Sequence, residues 1–230
     1  MRHAFVCLLA VAIVPVTMAD IVSADVYGRA TARGRDAQDQ YDEEQALVTS
    51  FPYSHSITKN HDGAAASAEM EVDVDFVKTG YIGMYTDVNP NCRGEITTGY
   101  DITLDEDMIY TISGALHFST ARQPEARVWL KENGPYGNLY SWYCKLDAGS
   151  YDVSPGGTAP PGTLQWLESG NLTGILEAGK TYHLDVWCRV QGSSNGTGTA
   201  NGEISMTLAP IPEPTTGFLL LLAAATFRRR

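Results

Sequence analysis

The sequence contains no Cys-x-x-Cys pair and no Cys/His spacing of the kind that holds zinc. The dinucleotide fingerprint Gly-x-Gly-x-x-Gly is missing as well, and no phosphate-cradling loop is expected. His55, His61, His117 and His183 are scattered, none beside a recognisable nucleophile elbow. Acidic pairs occur, but any acidic chain has them, so they do not by themselves mark a glycosidase-type site. Long amphipathic helical patterns are also missing, which argues against a bundle. No apolar run reaches the ~20 residues that a straight membrane-spanning helix needs.

The two ends of the chain are informative. Residues 1–24 read MRHAFVCLLAVAIVPVTMADIVSA. Arg2 leads into an apolar stretch from Ala4 to Val16, broken by Pro15, and small residues follow up to Ala24. That is the outline of a secretory signal peptide cut before Asp25, with an earlier cut after Ala19 as an alternative. Residues 211–230 read IPEPTTGFLLLLAAATFRRR. The triplet Pro212, Glu213, Pro214 stays extended, because proline fixes φ and lacks an N–H. The apolar run Thr215–Phe227 holds 13 residues, too few for a comfortable permanent anchor. Arg228, Arg229 and Arg230 favour the cytoplasmic side of a membrane.

This tail resembles the PEP-CTERM sorting signal of exported bacterial proteins. The resemblance covers residues 211–230 only. It implies export through a secretion translocon, transient membrane insertion through the short apolar run, and processing by an exosortase-type enzyme. The implied destination is the cell envelope, the cell surface or the extracellular space.

Between the ends lies one domain's worth of chain. The terminal segments hold Arg2, Arg228, Arg229 and Arg230 against Asp20 and Glu213. Of 16 basic and 27 acidic residues, 12 and 25 therefore remain in residues 25–210, a net charge of −13. Such a surface repels nucleic acid. Residues 25–50 are polar and read as a lead-in, with a short helix over Asp36–Val48 as one option. Residues 51–210 carry period-2 alternation. Met70, Val72, Val74 and Phe76 form one apolar set. Tyr110, Ile112, Leu116 and Phe118 form a second, and Tyr182, Leu184, Val186, Cys188 and Val190 a third. Gly/Pro/Ser/Asn stretches at 154–162 and 192–202 read as loops. The expectation is an all-β fold, a single antiparallel β-sandwich of jelly-roll type. Leu104-Asp105 … Tyr110 echoes Leu176-Glu177 … Tyr182 at the same spacing, which reads as a repeated sandwich corner.

Several residues are candidates for binding. Glu69, Glu71, Asp73 and Asp75 share one strand face about 6.6 Å apart, and Asp105 and Asp107 sit in an acidic turn. These are candidate calcium ligands, against the plainer reading of a charged strand face and a turn. Trp129 and Trp187 fall opposite the apolar faces, where their rings are placed to stack on sugars; burial after a one-residue shift of register is the alternative. Cys144 and Cys188 lie in strand-like runs and are the favoured disulfide pair in an oxidising compartment. No cofactor beyond calcium is expected, and no catalytic residue is assigned. Three functional classes follow. The first is a non-enzymatic cell-surface or extracellular-matrix protein. The second is a glycan-binding, carbohydrate-binding-module-like surface protein with extracellular polysaccharide as partner, with or without calcium. The third is a secreted hydrolase.

Overall fold

The computed structural model describes residues 20–212 apart from 121 and 134–136, and the backbone but not the side chain of 81. Among these the chain forms fourteen strands. They are β1 (Ile21–Arg33), β2 (Asp39–Val48), β3 (Tyr53–His61), β4 (Ala64–Asp73), β5 (Phe76–Thr86), β6 (Arg93–Leu104) and β7 (Met108–Thr120), followed by β8 (Glu125–Glu132), β9 (Asn138–Leu146), β10 (Gly149–Val153), β11 (Thr163–Gly170), β12 (Thr173–Leu176), β13 (Thr181–Gln191) and β14 (Gly198–Pro210). Sheet I has the order β11-β9-β8-β13-β6-β1-β2. Sheet II has the order β10-β7-β14-β5-β4-β3, with β12 beside β7 as well. The pairs are antiparallel, and the two sheets pack face to face as a sandwich.

The order of crossings makes the expected jelly roll. From β5 the chain crosses to β6, back to β7, over to the β8–β9 hairpin, back to β10, and later through β13 to β14. This places β5-β14-β7-β10 opposite β6-β13-β8-β9, the eight-stranded double Greek key. Two hairpins extend it: β1–β2 lengthens sheet I beyond β6, and β3–β4 lengthens sheet II beyond β5.

Alternation decides which side chains are buried. In β13 every second residue is buried: Tyr182, Leu184, Val186, Cys188 and Val190. In β9 the inward set is Tyr140, Trp142, Cys144 and Leu146. From sheet II come Met70, Ile82, Ile112, Phe118, Ile204 and Met206. A polar seam ties the sheets at the centre: Thr79 Oγ1 of β5 lies 2.5 Å from Thr98 Oγ1 and 3.0 Å from the Tyr100 hydroxyl of β6. The Tyr100 hydroxyl in turn donates to the Lys78 carbonyl at 2.6 Å. Each polar atom of the seam is thereby satisfied within a dry core.

Both corners of the sequence echo are structural. Leu104 and Leu176 are buried at strand ends, and Tyr110 and Tyr182 are buried near the start of the next strand. The two corners also bond each other, Gly179 N to the Leu104 carbonyl at 3.0 Å and Ala178 N to Asp107 Oδ1 at 2.8 Å.

Three local expectations need correction. First, residues 25–50 are neither lead-in nor helix; β1 and β2 belong to sheet I, and β1 begins at Ile21, inside the segment read as signal peptide. Inward positions of β1 hold small residues (Ala24, Gly28, Ala30, Ala32), so the alternation is faint. A Cβ at Gly28 would sit 2.4 Å from Met70 Sδ, so the methionine end would have to shift to admit one. A register shift between Ile21 and Ser23 further breaks the period. Strand β2 is an edge, and its acids are spent on neighbours: Glu43 pairs with Arg29 at 3.3 Å and Asp39 with Arg93 at 3.2 Å. Second, the run 68–76 is not one strand. Strand β4 ends at Asp73, whose Oδ1 accepts the Val74 N–H at 2.8 Å, and β5 starts at Phe76. Val72 is buried, whereas Val74 lies in the turn and Phe76 on the outer face, both half-buried. Third, Cys144 and Cys188 are not neighbours. Both pair with Ala126 of β8, from opposite sides, so they stand two strand spacings apart, about 9.6 Å. A disulfide needs Cα atoms within about 6.8 Å, and both thiols, like that of Cys92, are free and buried.

Trp142 is fully buried and stacks edge-on against Trp166 with centroids 5.5 Å apart. Its Nε1 has no hydrogen-bond partner, so its contribution is packing alone. Replacing it by alanine is expected to cost about 3–5 kcal/mol, and Trp142→Phe clearly less, since the orphan donor is removed with the indole. Chemical denaturation followed by far-ultraviolet circular dichroism measures both.

Candidate functional site

The outer face of sheet I is built by the residues that alternate with the core. Reading across the register, Leu167, Tyr143, Arg127, Trp187, Thr97 and Arg29 form one row. A second row runs Ser141, Trp129, Asp185, Gly99, Tyr27. Trp129 and Trp187 are therefore diagonal neighbours on adjacent strands, both half-buried and both outside the core. The reading in which they turn inward is corrected: β8 and β13 bury Val128, Leu130, Val186 and Cys188 in their place.

Cations hold the two rings. Arg127 lies 5.8 Å from the Trp129 centroid and 6.0 Å from that of Trp187. Lys131 stands 5.1 Å over Trp129, and Arg189 lies 5.3 Å over Trp187. Arg127 is itself fixed by Asp185 at 2.9 Å, and Trp129 Nε1 donates to Asn138 Oδ1 at 2.7 Å. The rings are thus held between cations, with part of each left accessible on the outer face.

One row further along the same strands lies a cavity of about 440 Å³, lined by Arg122, Gln123, Glu125, Lys145, Asp147, Ala148, Arg189 and Gln191. Glu125 is its buried floor. Its carboxylate accepts from Arg189 at 2.7 Å and from the Tyr143 hydroxyl at 3.0 Å, and Lys145 lies 3.4 Å away. Burial first, then the bond to Glu125, pushes the Tyr143 phenol up to about 12. Arg122 Nη1 reaches the Pro90 carbonyl at 3.3 Å. Sequence reasoning missed this cavity, because its walls come from the ends of β8, β9 and β13 and the loop before β8.

The candidate calcium ligands do not converge. Glu71 pairs with Lys78 at 3.2 Å, Glu69 accepts from Ser54 at 2.9 Å, and Asp73 caps its own turn. Asp75 lies in the β4–β5 turn. Asp105 Oδ1 accepts the Asp20 N–H at 3.1 Å, and Asp107 is bonded to the other corner. Among the described residues no group of three His, Cys, Asp or Glu side chains is placed to hold a metal ion.

The histidines stay apart, each beside its own carboxylate: His55 by Glu44, His61 by Asp36, His117 by Asp152 and His183 by Asp101. Backbone bonding from Gln38, with His61 beside it, lowers the Asp36 carboxyl below its ordinary value. Two motifs that sequence reasoning missed are present, but in the wrong structural setting. Gly174–Thr181 spells the phosphate-loop pattern Gly-x-x-x-x-Gly-Lys-Thr, but it runs from β12 through a corner into β13 with no helix to follow. Its Lys180 is taken by Glu177 at 2.9 Å and Glu132 at 3.2 Å. Gly192–Gly196 spells Gly-x-Ser-x-Gly, yet it is a turn between β13 and β14 in which Ser194 Oγ donates to Asn195.

No protein-family model matches the chain, and no curated protein does. Among solved structures the chain is similar to the structure of infectious bursal disease virus Gx strain, at 10% identity and a TM-score of 0.28. The match covers 86% of this chain and 58% of that one. A likeness of that depth carries no functional argument.

The three thiols of the described domain give a direct check on the strand order that separates Cys144 from Cys188. Burial pushes the Cys144 thiol up to about 12 and that of Cys188 well above its ordinary value. At pH 8 only roughly one Cys144 in ten thousand is thiolate. A thiol reagent at pH 8 is expected to leave Cys144 and Cys188 unlabelled in the folded protein. Denaturant should expose three reactive thiols without any reductant. A count of one in denaturant would show that a disulfide forms after all.

Proposed function

We propose that this chain is an exported, non-enzymatic protein of the cell surface or extracellular matrix, directed to the envelope by its terminal segments. Residues 1–19, Glu213, Pro214, the run Thr215–Phe227 and Arg228, Arg229 and Arg230 lie outside the described residues, so the sorting signals rest on sequence alone. One observation carries the reading. The domain starts at Ile21 and its last strand ends at Pro210, abutting the two signal-like segments, and both ends leave at one pole. Ile21 N–H donates to the Val74 carbonyl at 2.8 Å and Leu208 N–H to the adjacent Asp75 carbonyl at 2.7 Å. A leader and a tail on such a domain reach the same membrane without wrapping around it. The opposite pole and the outer faces then point away.

Support for a binding role over catalysis is chemical. The histidines are committed to separate carboxylates, and the carboxylate flooring the cavity is already spent on Arg189, Lys145 and Tyr143. The hydrolase alternative would need a carboxyl free to move protons. A second reading, glycan binding, is favoured by the outward pair Trp129 and Trp187 beside the cavity. Calcium assistance has no converging ligands behind it.

Burial of the first strand favours the earlier of the two leader cuts, after Ala19. Ile21 and Ala24 are buried at 2% and 0% exposure. Cutting before Asp25 would remove them, and losing buried Ile21 alone costs roughly 1.5–3 kcal/mol. The exported protein is expected to begin at Asp20 and to lack the segment after Pro214. Amino-terminal sequencing and intact mass on envelope and medium fractions read both ends. Recovery of a chain starting at Met1 from the cytoplasm would overturn export, and a mature chain ending at Arg230 would overturn tail processing.

A further inference from the structure

We infer that the outer face of sheet I binds an acidic polysaccharide, its rings lying on Trp129 and Trp187 and an acid group entering the Arg122–Lys145–Arg189 cavity. This rests on the glycan-binding reading and names the class of glycan.

The argument is one of charge against context. The domain carries 12 basic and 25 acidic residues. Yet Arg122, Arg127, Lys131, Lys145 and Arg189 gather along β8, β9 and β13, against Glu125, Asp147 and Asp185. Two of those acids are internal to the patch. Glu125 is 8% exposed beneath Arg189 and Lys145, and Asp185 is held by Arg127. The cavity thus sets three cations, Arg122, Lys145 and Arg189, against buried Glu125 and exposed Asp147, a local excess of one positive charge on a strongly negative protein, which favours anions there while the rest of the surface repels them. A guanidinium has five donors in a fork that matches a carboxylate or sulfate. Arg122 and Arg189 both border the cavity, with Lys145 as a third donor.

The aromatic half supplies the second criterion. Trp187 lies one pleat from the cavity rim, and Trp129 continues the line away from it. The line has a cationic end and an aromatic end, as a chain of sugar rings with spaced acid groups requires. Glu95, Asp101 and Glu43 flank the patch on β6 and β2, so an anionic group is accommodated at the cavity end and not across the sheet. Both ends of the described domain lie at the far pole, whereas the cavity lies at the end where β8 begins and β13 ends.

The test uses the domain from Asp20 to Pro212 in affinity electrophoresis through three polymers: polygalacturonate, the same polymer fully methyl-esterified, and oligo(dT). Retardation is expected on polygalacturonate, weakened by salt and at least about tenfold weaker on the ester, a difference of one strong charged contact. Trp187→Ala and Arg122→Gln should each weaken it about tenfold with melting temperature nearly unchanged. Thr207→Ala, on the outer face of sheet II, should leave it unaltered. Equal retardation on acid and ester would overturn the acidic inference while leaving glycan binding standing. Folded protein that none of the polymers retards would remove both. Stronger retardation by oligo(dT) than by polygalacturonate would replace the glycan with a nucleic acid. Unchanged binding by Trp187→Ala would sink the assigned face. None of these outcomes touches the surface-localisation reading, which fractionation decides separately.

Discussion

The register of β13 is the constraint on which the rest depends. It lies between β6 and β8 in sheet I, hydrogen-bonded on both sides. Its odd and even residues divide into a core row (Tyr182, Leu184, Val186, Cys188, Val190) and an outer row (His183, Asp185, Trp187, Arg189). A slip of one residue would bury an aspartate and an arginine and expose five core side chains. The cost of burying unpaired charge makes that slip prohibitive. The same pleat that builds the core therefore builds the charged and aromatic outer face. It also places Arg189 over Glu125 and beside Trp187.

The sandwich has two unlike outer faces. Sheet I carries tryptophans, tyrosines and cross-strand ion pairs. Sheet II carries small hydroxyl side chains that bond across strands, Thr111 to Thr173 at 3.3 Å and Ser113 to Ser205 at 3.1 Å, with acids toward β4. Cross-strand pairs of this kind stabilise a sheet modestly and leave it flat. The two outward tryptophans, Trp129 and Trp187, lie on the other side, where the cavity opens.

The poles differ too. One is made by the two echoed corners, the β4–β5 turn and both chain ends. Consecutive carbonyls, Val74 and Asp75, take the first and last strand. The other pole is a knot of loops: Arg35 pairs with Asp87 and lies 3.7 Å from Asp62, His61 meets Asp36, and Gln191 and Arg122 both reach the Pro90 carbonyl. These contacts tie the loops to one another beside the cavity rim.

Strands β7 and β13 were legible in the sequence, because each buries one face and leaves the other wet, and the period-2 pattern records that division directly. So were the all-β class, the sandwich and the repeated corners. Strand β1 was not, since small inward residues and a register shift erase the pattern. Strand β2 was not either, because an edge strand needs no apolar face and its acids find partners only across the fold. That Trp129 and Trp187 face outward was readable from alternation. That they sit diagonally, share Arg127 and lead into a cavity was not, for those are distances between residues dozens of positions apart. The separation of Cys144 and Cys188 by β8 belongs to the same class: composition counts thiols, and only strand order spaces them. Local pattern determined the elements and their inner faces. Tertiary structure alone decided which elements are neighbours, because pairing energy depends on register and sheet order, which no single segment carries.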